Sequence, residues 1–271
     1  LGSAADDIAF FYIVTVNNPT CSILSNARRR ELVALASRLS REQNRHIPLF
    51  FDMAYELLVH DPGVEPLESG LLADDAGVVY EIGTLSKVLA PALRTGYLIG
   101  PDGPLLDAMV QRTSDVGFSA PLITQEMASY LLDRHIGAQL ERVRAGYRRK
   151  ASETRAAVDA SLGPLLTECR GGSAGFYYYL TFEDIETHTE SAFFRCLARS
   201  TGDVALDGPV DARRPRVVYI PGEYCVHPSG ELVDIGRRQL RISYGFEETP
   251  AITRALEHMR EAALYAKQDT E

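Results

Sequence analysis

The apolar positions of this chain come in two rhythms. Residues 9–16 (AFFYIVTV) form a continuous apolar run rich in β-formers, as a strand buried on both faces of a parallel sheet requires. It stops at Asn17-Asn18-Pro19-Thr20, a loop signal. Ser25 or Asn26 suits the N-cap of a helix whose apolar positions Leu32, Leu35, Ala36 and Leu39 recur at helical spacing. Residues 47–51 predict a second strand ending at Asp52, residues 78–82 a third ending at Gly83, and residues 95–99 a fourth closed by Gly100-Pro101. Strands alternating with helices indicate an α/β sheet.

Beyond it the rhythm lengthens. Residues 122–162 predict one long helical stretch, charged at Glu141, Arg142, Arg144, Arg148, Arg149 and Lys150, leading from the sheet into a second unit. Gly171-Gly172-Ser173-Ala174-Gly175 then introduces a strand over residues 176–180; residues 217–220 run into Pro221-Gly222, residues 239–244 are another strand, and residues 251–266 an amphipathic helix. The expected organisation is a large α/β domain over residues 1–145 and a small α+β domain over residues 146–271. There is no internal repeat and no low-complexity tract.

Composition narrows the partners. Of 271 residues 45% are hydrophobic, enough to bury one large or two modest cores. With 28 Lys and Arg against 37 Asp and Glu the net charge is −9, so the overall field attracts neither nucleic acid nor anionic membrane. No apolar run reaches the length of a membrane span, and no signal-peptide pattern opens the chain. Cys21, Cys169, Cys196 and Cys225 are scattered without C-x-x-C spacing; free thiols in a reducing cytoplasm are expected, and no metal site. The small polar opening Leu1-Gly2-Ser3-Ala4-Ala5-Asp6-Asp7 reads as a short leader or the start of a fragment.

The polar residues that punctuate the strands carry the chemistry. In open α/β sheets ligands bind beyond the carboxyl ends of the strands, and Asn18, Asp52 and the run Thr84-Leu85-Ser86-Lys87 all follow predicted strand ends. Each has an ordinary reading: Asn18 an Asx turn, Asp52 a helix N-cap, Tyr55 a core tyrosine, Lys87 a snorkelling side chain, Thr84, Ser86 and Arg94 a turn and a surface charge, Arg241 a solvent-facing strand residue. Together they meet the needs of one cofactor. A lysine amine condenses with an aldehyde, hydroxyls and a guanidinium hold a phosphate, and a carboxylate pairs with a pyridinium, which are the requirements of pyridoxal 5′-phosphate (PLP). A partly desolvated Lys87 near cationic groups is nucleophilic at neutral pH, and Arg241 can grip a carboxylate with both arms of its guanidinium. The run Tyr177-Tyr178-Tyr179 is expected to be core, and His227 to be a surface-loop histidine.

On Asn18-Pro19-Thr20, Asp52-Met53-Ala54-Tyr55, Thr84-Leu85-Ser86-Lys87 with Leu93-Arg94-Thr95-Gly96, Gly172 to Phe176, Ile220-Pro221-Gly222 and Leu240-Arg241-Ile242-Ser243, the chain resembles the fold-type I PLP-dependent enzymes, specifically the class I/II aminotransferases. The resemblance covers essentially the whole chain. It implies a mostly parallel central sheet of the aspartate aminotransferase-like type with a C-terminal α+β small domain. It also implies transamination between an L-amino acid and a 2-oxo acid through a Schiff base on Lys87. Asp52 would pair with the ring nitrogen, Tyr55 and Asn18 would bond the ring's phenolic oxygen, and Thr84, Ser86 and Arg94 would hold the phosphate. Arg241 would bind the substrate α-carboxylate. Such enzymes are usually homodimers, and Phe118-Ser119-Ala120-Pro121 would face the partner's site.

Two departures stand out. The family usually has Gly after Asn-Pro-Thr, where this chain has Cys21, and it usually has a substantial segment before the first strand seen here. Two other readings use the same residues: a PLP lyase, decarboxylase or cyclising synthase, or the aminotransferase-like effector domain of a transcription regulator.

Overall fold

The computed structural model describes residues 7–268, so the small polar opening, apart from Asp7, lies outside the described residues. The chain divides into two compact units, Leu1–Asn17 with Ser22–Ala145, and Asn18–Cys21 with Gly146–Glu271.

The first unit is built on a four-stranded sheet in the order β1 (Phe11–Val14), β2 (Leu49–Asp52), β3 (Val79–Thr84), β4 (Gly96–Ile99). β1, β2 and β3 run parallel and β4 returns antiparallel to β3. Helix α1 (Asn26–Glu42) starts where the sequence places it: the Ser25 side chain accepts from the Arg28 N–H, satisfying one of the donors a helix N-terminus leaves open. Its apolar stripe meets one face of the sheet in a core of Val33, Ala36, Leu49, Phe51, Val78 and Val79. Two more helices follow, α2 (Pro104–Gly117) and α3 (Leu122–Arg134).

α4 (Ile136–Leu162) completes the helical stretch. The single helix predicted over residues 122–162 is therefore two. His135 takes φ −131° and ψ −11°, outside the helical range, and its ring packs on Tyr130 at 5.5 Å between centroids. The turn is interrupted there although the apolar spacing continues across it.

The second unit holds an antiparallel sheet in the order β5 (Leu166–Gly171), β6 (Tyr177–Phe182), β8 (Gln239–Ser243), β7 (Ile220–Pro221). Helices α5 (Ala192–Ala198), α6 (Val204–Asp207), α7 (Val233–Gly236) and α8 (Thr249–Gln268) complete it. α8 packs on α5 and closes a core that includes Leu162, Leu180, Phe182, Phe193, Leu240 and Met259. β5 has no counterpart in the apolar pattern: its run Leu-Thr-Glu-Cys-Arg-Gly is too polar to register as a strand, and pairing with the fully buried β6 is what orders it. Tyr178 and Tyr179 are core as expected, their hydroxyls donating to Ala151 O at 2.9 Å and Gln239 Oε1 at 3.1 Å. All four cysteines are free. Among the described residues no helix is long and apolar enough to cross a membrane.

Candidate active site

The pleat of a sheet sends alternate side chains to opposite faces. In the observed register Tyr12 lies beside Phe50 and Val14 beside Asp52, with Tyr80 and Ile82 next in line. Leu49 and Phe51 face α1, so Tyr12, Asp52 and Thr84 share the other face.

Asp52 ends β2 and is half-buried. Its Oδ1 accepts from the Ala54 N–H at 2.9 Å and its Oδ2 from the Tyr12 hydroxyl at 2.6 Å. The hydrogen bond to Asp52 is the main reason the Tyr12 phenol is pushed up to about 12, with burial and the nearby negative charge adding to it. A carboxylate has about four lone-pair positions, so two donors leave Asp52 room for another.

The loop after Asp52 turns into a short 3₁₀ turn (Glu56–Leu58) that begins beyond the buried Tyr55. The Lys87 nitrogen lies 5.7 Å from the centroid of the Tyr55 ring. Lys87 is half-buried and, among the described residues, has no carboxylate partner. Thr84 ends β3, one residue further than the sequence pattern predicts. Its Oγ1 lies 3.0 Å from Ser86 Oγ and accepts from the Ser86 N–H at 3.2 Å. The antiparallel return of β4 sets Thr84 opposite Gly96 and ties the Leu85 N–H to Thr95 O at 3.1 Å, so the Ser86 turn and the Arg94–Thr95 bend are neighbours. The Tyr97 ring lies over Gly83 so closely that a Cβ there would meet it at 2.1 Å, so any larger residue one position before Thr84 has to displace that ring.

Arg94 itself has φ +51° and is exposed, and its Nη1 donates to Pro91 O at 3.1 Å. The structure thus brings its backbone, but not its guanidinium, to the Thr84–Ser86 hydroxyls.

A buried ion pair supports this edge of the sheet from the α1 side. Arg29 Nη2 meets Glu56 Oε2 at 2.9 Å, with side-chain exposures of 2% and 15%, and the guanidinium sits 5.2 Å from the Phe51 ring centroid. Glu56 adjoins Tyr55, so the pair pins the loop that carries it. Arg29, Glu56 and Tyr12 escape sequence reasoning. Arg29 did leave a trace: Arg29, Val33 and Ala36 fall on one helical face, the buried one. Tyr12 left none, because its partner depends on strand register.

Arg241 and Asn18 belong to the second unit. Arg241 is central in β8, with Tyr179 and Ile220 as its strand neighbours. Its guanidinium lies 4.3 Å from the Tyr177 ring centroid, and Nη1 donates to Asn18 Oδ1 at 2.7 Å. Stacking plus one hydrogen bond orients the guanidinium and leaves other N–H groups of its fork for a ligand. Of the tyrosine run, then, Tyr177 is the one that serves a charged group. Cys21 is buried with φ +51°, the left-handed region that explains a glycine preference at this position, and burial pushes its thiol up. His227 lies exposed in a turn, its Nδ1 accepting from the Ser229 N–H.

Asp52, Tyr55, Lys87, Thr84 and Ser86 thus gather in the first unit, and Asn18 with Arg241 in the second. A carboxylate with spare acceptor capacity, an amine over an aromatic ring and a hydroxyl pair suit a ligand with a cationic ring nitrogen, an aldehyde and a phosphate. The residues present fit PLP.

The family model for aminotransferases of class I and II matches residues 2–210. Among curated relatives, the chain is 27% identical over 177 residues to the uncharacterized HTH-type transcriptional regulator YisV of Bacillus subtilis, covering 64% of this chain and 34% of that protein. It is 29% identical over 154 residues to the 2-aminoadipate transaminase of Thermus thermophilus, covering 55% of this chain and 36% of that one. The matches span about a third of these relatives. Among solved structures, LysN, an alpha-aminoadipate aminotransferase from Thermus thermophilus complexed with N-(5′-phosphopyridoxyl)-L-leucine, superposes with a TM-score of 0.76 at 24% identity, over 96% of this chain and 59% of that one.

Proposed function

The chain belongs to the class I and II aminotransferases, and from that premise we propose that it is a PLP-dependent transaminase moving an amino group between an L-amino acid and a 2-oxo acid. The observation that carries this reading is the placing of Asp52 and of Thr84–Lys87 at the ends of adjacent parallel strands, beside one another on one sheet edge. When bound, PLP supplies an aldehyde for the substrate amine and an electron-withdrawing ring that acidifies the Cα–H bond.

The chain's own groups have the following parts. Lys87 Nζ would hold the cofactor, and its free amine would be the base that takes the proton from the substrate Cα. Asp52 keeps the ring nitrogen protonated by accepting its N–H. Tyr55 and Asn18 donate to the phenolic oxygen. The hydroxyls of Thr84 and Ser86 hold the phosphate, joined by Arg94 once its side chain leaves the Pro91 carbonyl. Arg241 binds the substrate α-carboxylate through a two-pronged hydrogen bond. A homodimer in the cytoplasm goes with this reading.

A second reading draws on the similarity to YisV: the same residues would bind PLP as the effector domain of a transcription regulator. Turnover separates the two, since an effector domain binds the cofactor without net amino transfer.

The test is an absorbance spectrum with PLP before and after an amino-acid mixture, followed by borohydride trapping. The expected outcome is a visible band that bleaches with amino acid, and a covalent adduct that is lost in Lys87→Ala. A trapped adduct in Lys87→Ala removes Lys87 from its role, and no band in the wild type removes the cofactor. A band that never bleaches favours the effector reading.

A further inference from the structure

Asp52 is anchored from an unexpected direction. The hydroxyl that reaches its Oδ2 at 2.6 Å comes from Tyr12, 40 residues earlier, on the neighbouring strand β1. The contact is as short as charge-assisted O–H···O⁻ bonds are. Register makes it possible: Val14 sits beside Asp52, and Tyr12 is the next residue of β1 on the same face. The Tyr12 ring is half exposed, so burial does not account for its place.

The two carboxylate oxygens are held differently and by neutral donors, Oδ1 by a backbone N–H from its own loop and Oδ2 by the phenol. Two donors on two oxygens fix the plane of the carboxylate. Neither carries a charge, and among the described residues Asp52 has no cationic partner. A lysine or arginine in the place of Tyr12 would orient Asp52 equally well but would cancel the charge that attracts a ring N–H⁺.

We propose that Tyr12 is a positioning residue for the cofactor: its hydroxyl holds the Asp52 carboxylate in the plane in which its remaining lone pairs meet the protonated ring nitrogen. The inference rests on the cofactor reading above and adds to it a residue from β1. Tyr12 acts through Asp52, the group that accepts from its hydroxyl. Without it, Asp52 keeps its charge and its Ala54 contact but gains rotational freedom, and that freedom must be lost again when the cofactor binds.

The experiment compares the purified wild type with Tyr12→Phe, Tyr12→His and Asp52→Asn. The first readout needs no cofactor. The phenolate absorbance difference between wild type and Tyr12→Phe isolates the Tyr12 titration. It is expected at about 12 and, in the Asp52→Asn background, near the ordinary value of about 10. The second readout is the dissociation constant for PLP from its visible band. Tyr12→Phe is expected to bind about fivefold more weakly, the scale of one partly exposed hydrogen bond to a charge. Tyr12→His, compared at about pH 9 where the imidazole is a neutral donor, is expected to recover most of that loss, a recovery that simple loss of ring packing does not produce. A Tyr12 phenol titrating near 10 overturns the inference, as does PLP affinity in Tyr12→Phe within twofold of wild type. A wild type that forms no PLP band overturns both this inference and the cofactor reading; a band with equal affinities overturns this one alone.

Discussion

Asp52 in the first unit and Arg241 in the second carry opposite charges, yet each is held only by neutral partners. Asp52 accepts from a phenol and a backbone amide; Arg241 lies over an aromatic ring and donates to a side-chain carbonyl. Among the described residues neither has a counter-ion. Glu56, a few residues after Asp52, and Arg29 of α1 show the contrary arrangement: a charge buried to 2% exposure answered by an opposite charge at 2.9 Å. Desolvating an ion is costly, so a charge whose work is structural is neutralised on the spot. Under the proposed function Asp52 and Arg241 are charges meant for a ligand, kept half-exposed, oriented by dipoles, and left to be neutralised on binding. The two kinds of charged residue in this fold can be told apart by what stands next to them.

Four substitutions test that distinction and its surroundings. The largest effect is expected for the ligand-facing charges. Asp52→Asn, and separately Arg241→Gln, should lower kcat/KM for the amino donor by about a thousandfold, the scale of removing one preorganised charge from a site. Stability should move by less than about 1 kcal/mol, because no buried counter-ion is stranded. Steady-state kinetics and urea denaturation of the same samples check both halves; a large loss of stability would mean that these charges are structural after all. The intermediate effect is expected for Arg29→Met, which keeps the packing on Phe51 and strands Glu56. A loss of about 3 kcal/mol in the urea transition is expected, and unchanged stability would dissolve the contrast. The smallest effect belongs to Cys21→Gly. Glycine relieves the left-handed backbone by about 1 kcal/mol and gives up a similar amount of buried packing. The thermal midpoint should therefore move by only a degree or two in either direction, and a shift of ten degrees would assign Cys21 a larger role than filling space.

Much of the candidate site could be read before the fold was seen, and for a local reason. Asn18, Asp52 and Thr84–Lys87 each interrupt an apolar run, and a polar residue that ends a buried strand of an α/β sheet sits at its ligand-binding edge wherever the strand lies in the sheet order. The Ser25 cap and the spacing of α1 are likewise local. Arg94 shows the limit of such reading. Its place in the sequence next to Thr95 and Gly96 brings its backbone beside the Ser86 turn, but its guanidinium donates to Pro91 O, which sequence spacing does not specify.

The sequence by itself determined the four strands of the first unit, helices α1 and α8, strands β6 and β8, and which polar groups stand at strand ends, because hydrophobic periodicity and capping act within a few residues. It also carried the class of chemistry proposed for the chain, since an amine, a carboxylate and a pair of hydroxyls are properties of residue types. Only the tertiary structure decided which groups meet across 40 or more residues: Tyr12 with Asp52 through the register of β1 on β2, and Asn18 with Arg241 within the second unit. It also decided that β4 reverses against β3, so that Thr84 faces Gly96. Register turns on the packing of whole faces, and a slip of one residue in β1 would turn Tyr12 to the α1 side and leave Asp52 with its backbone donor alone.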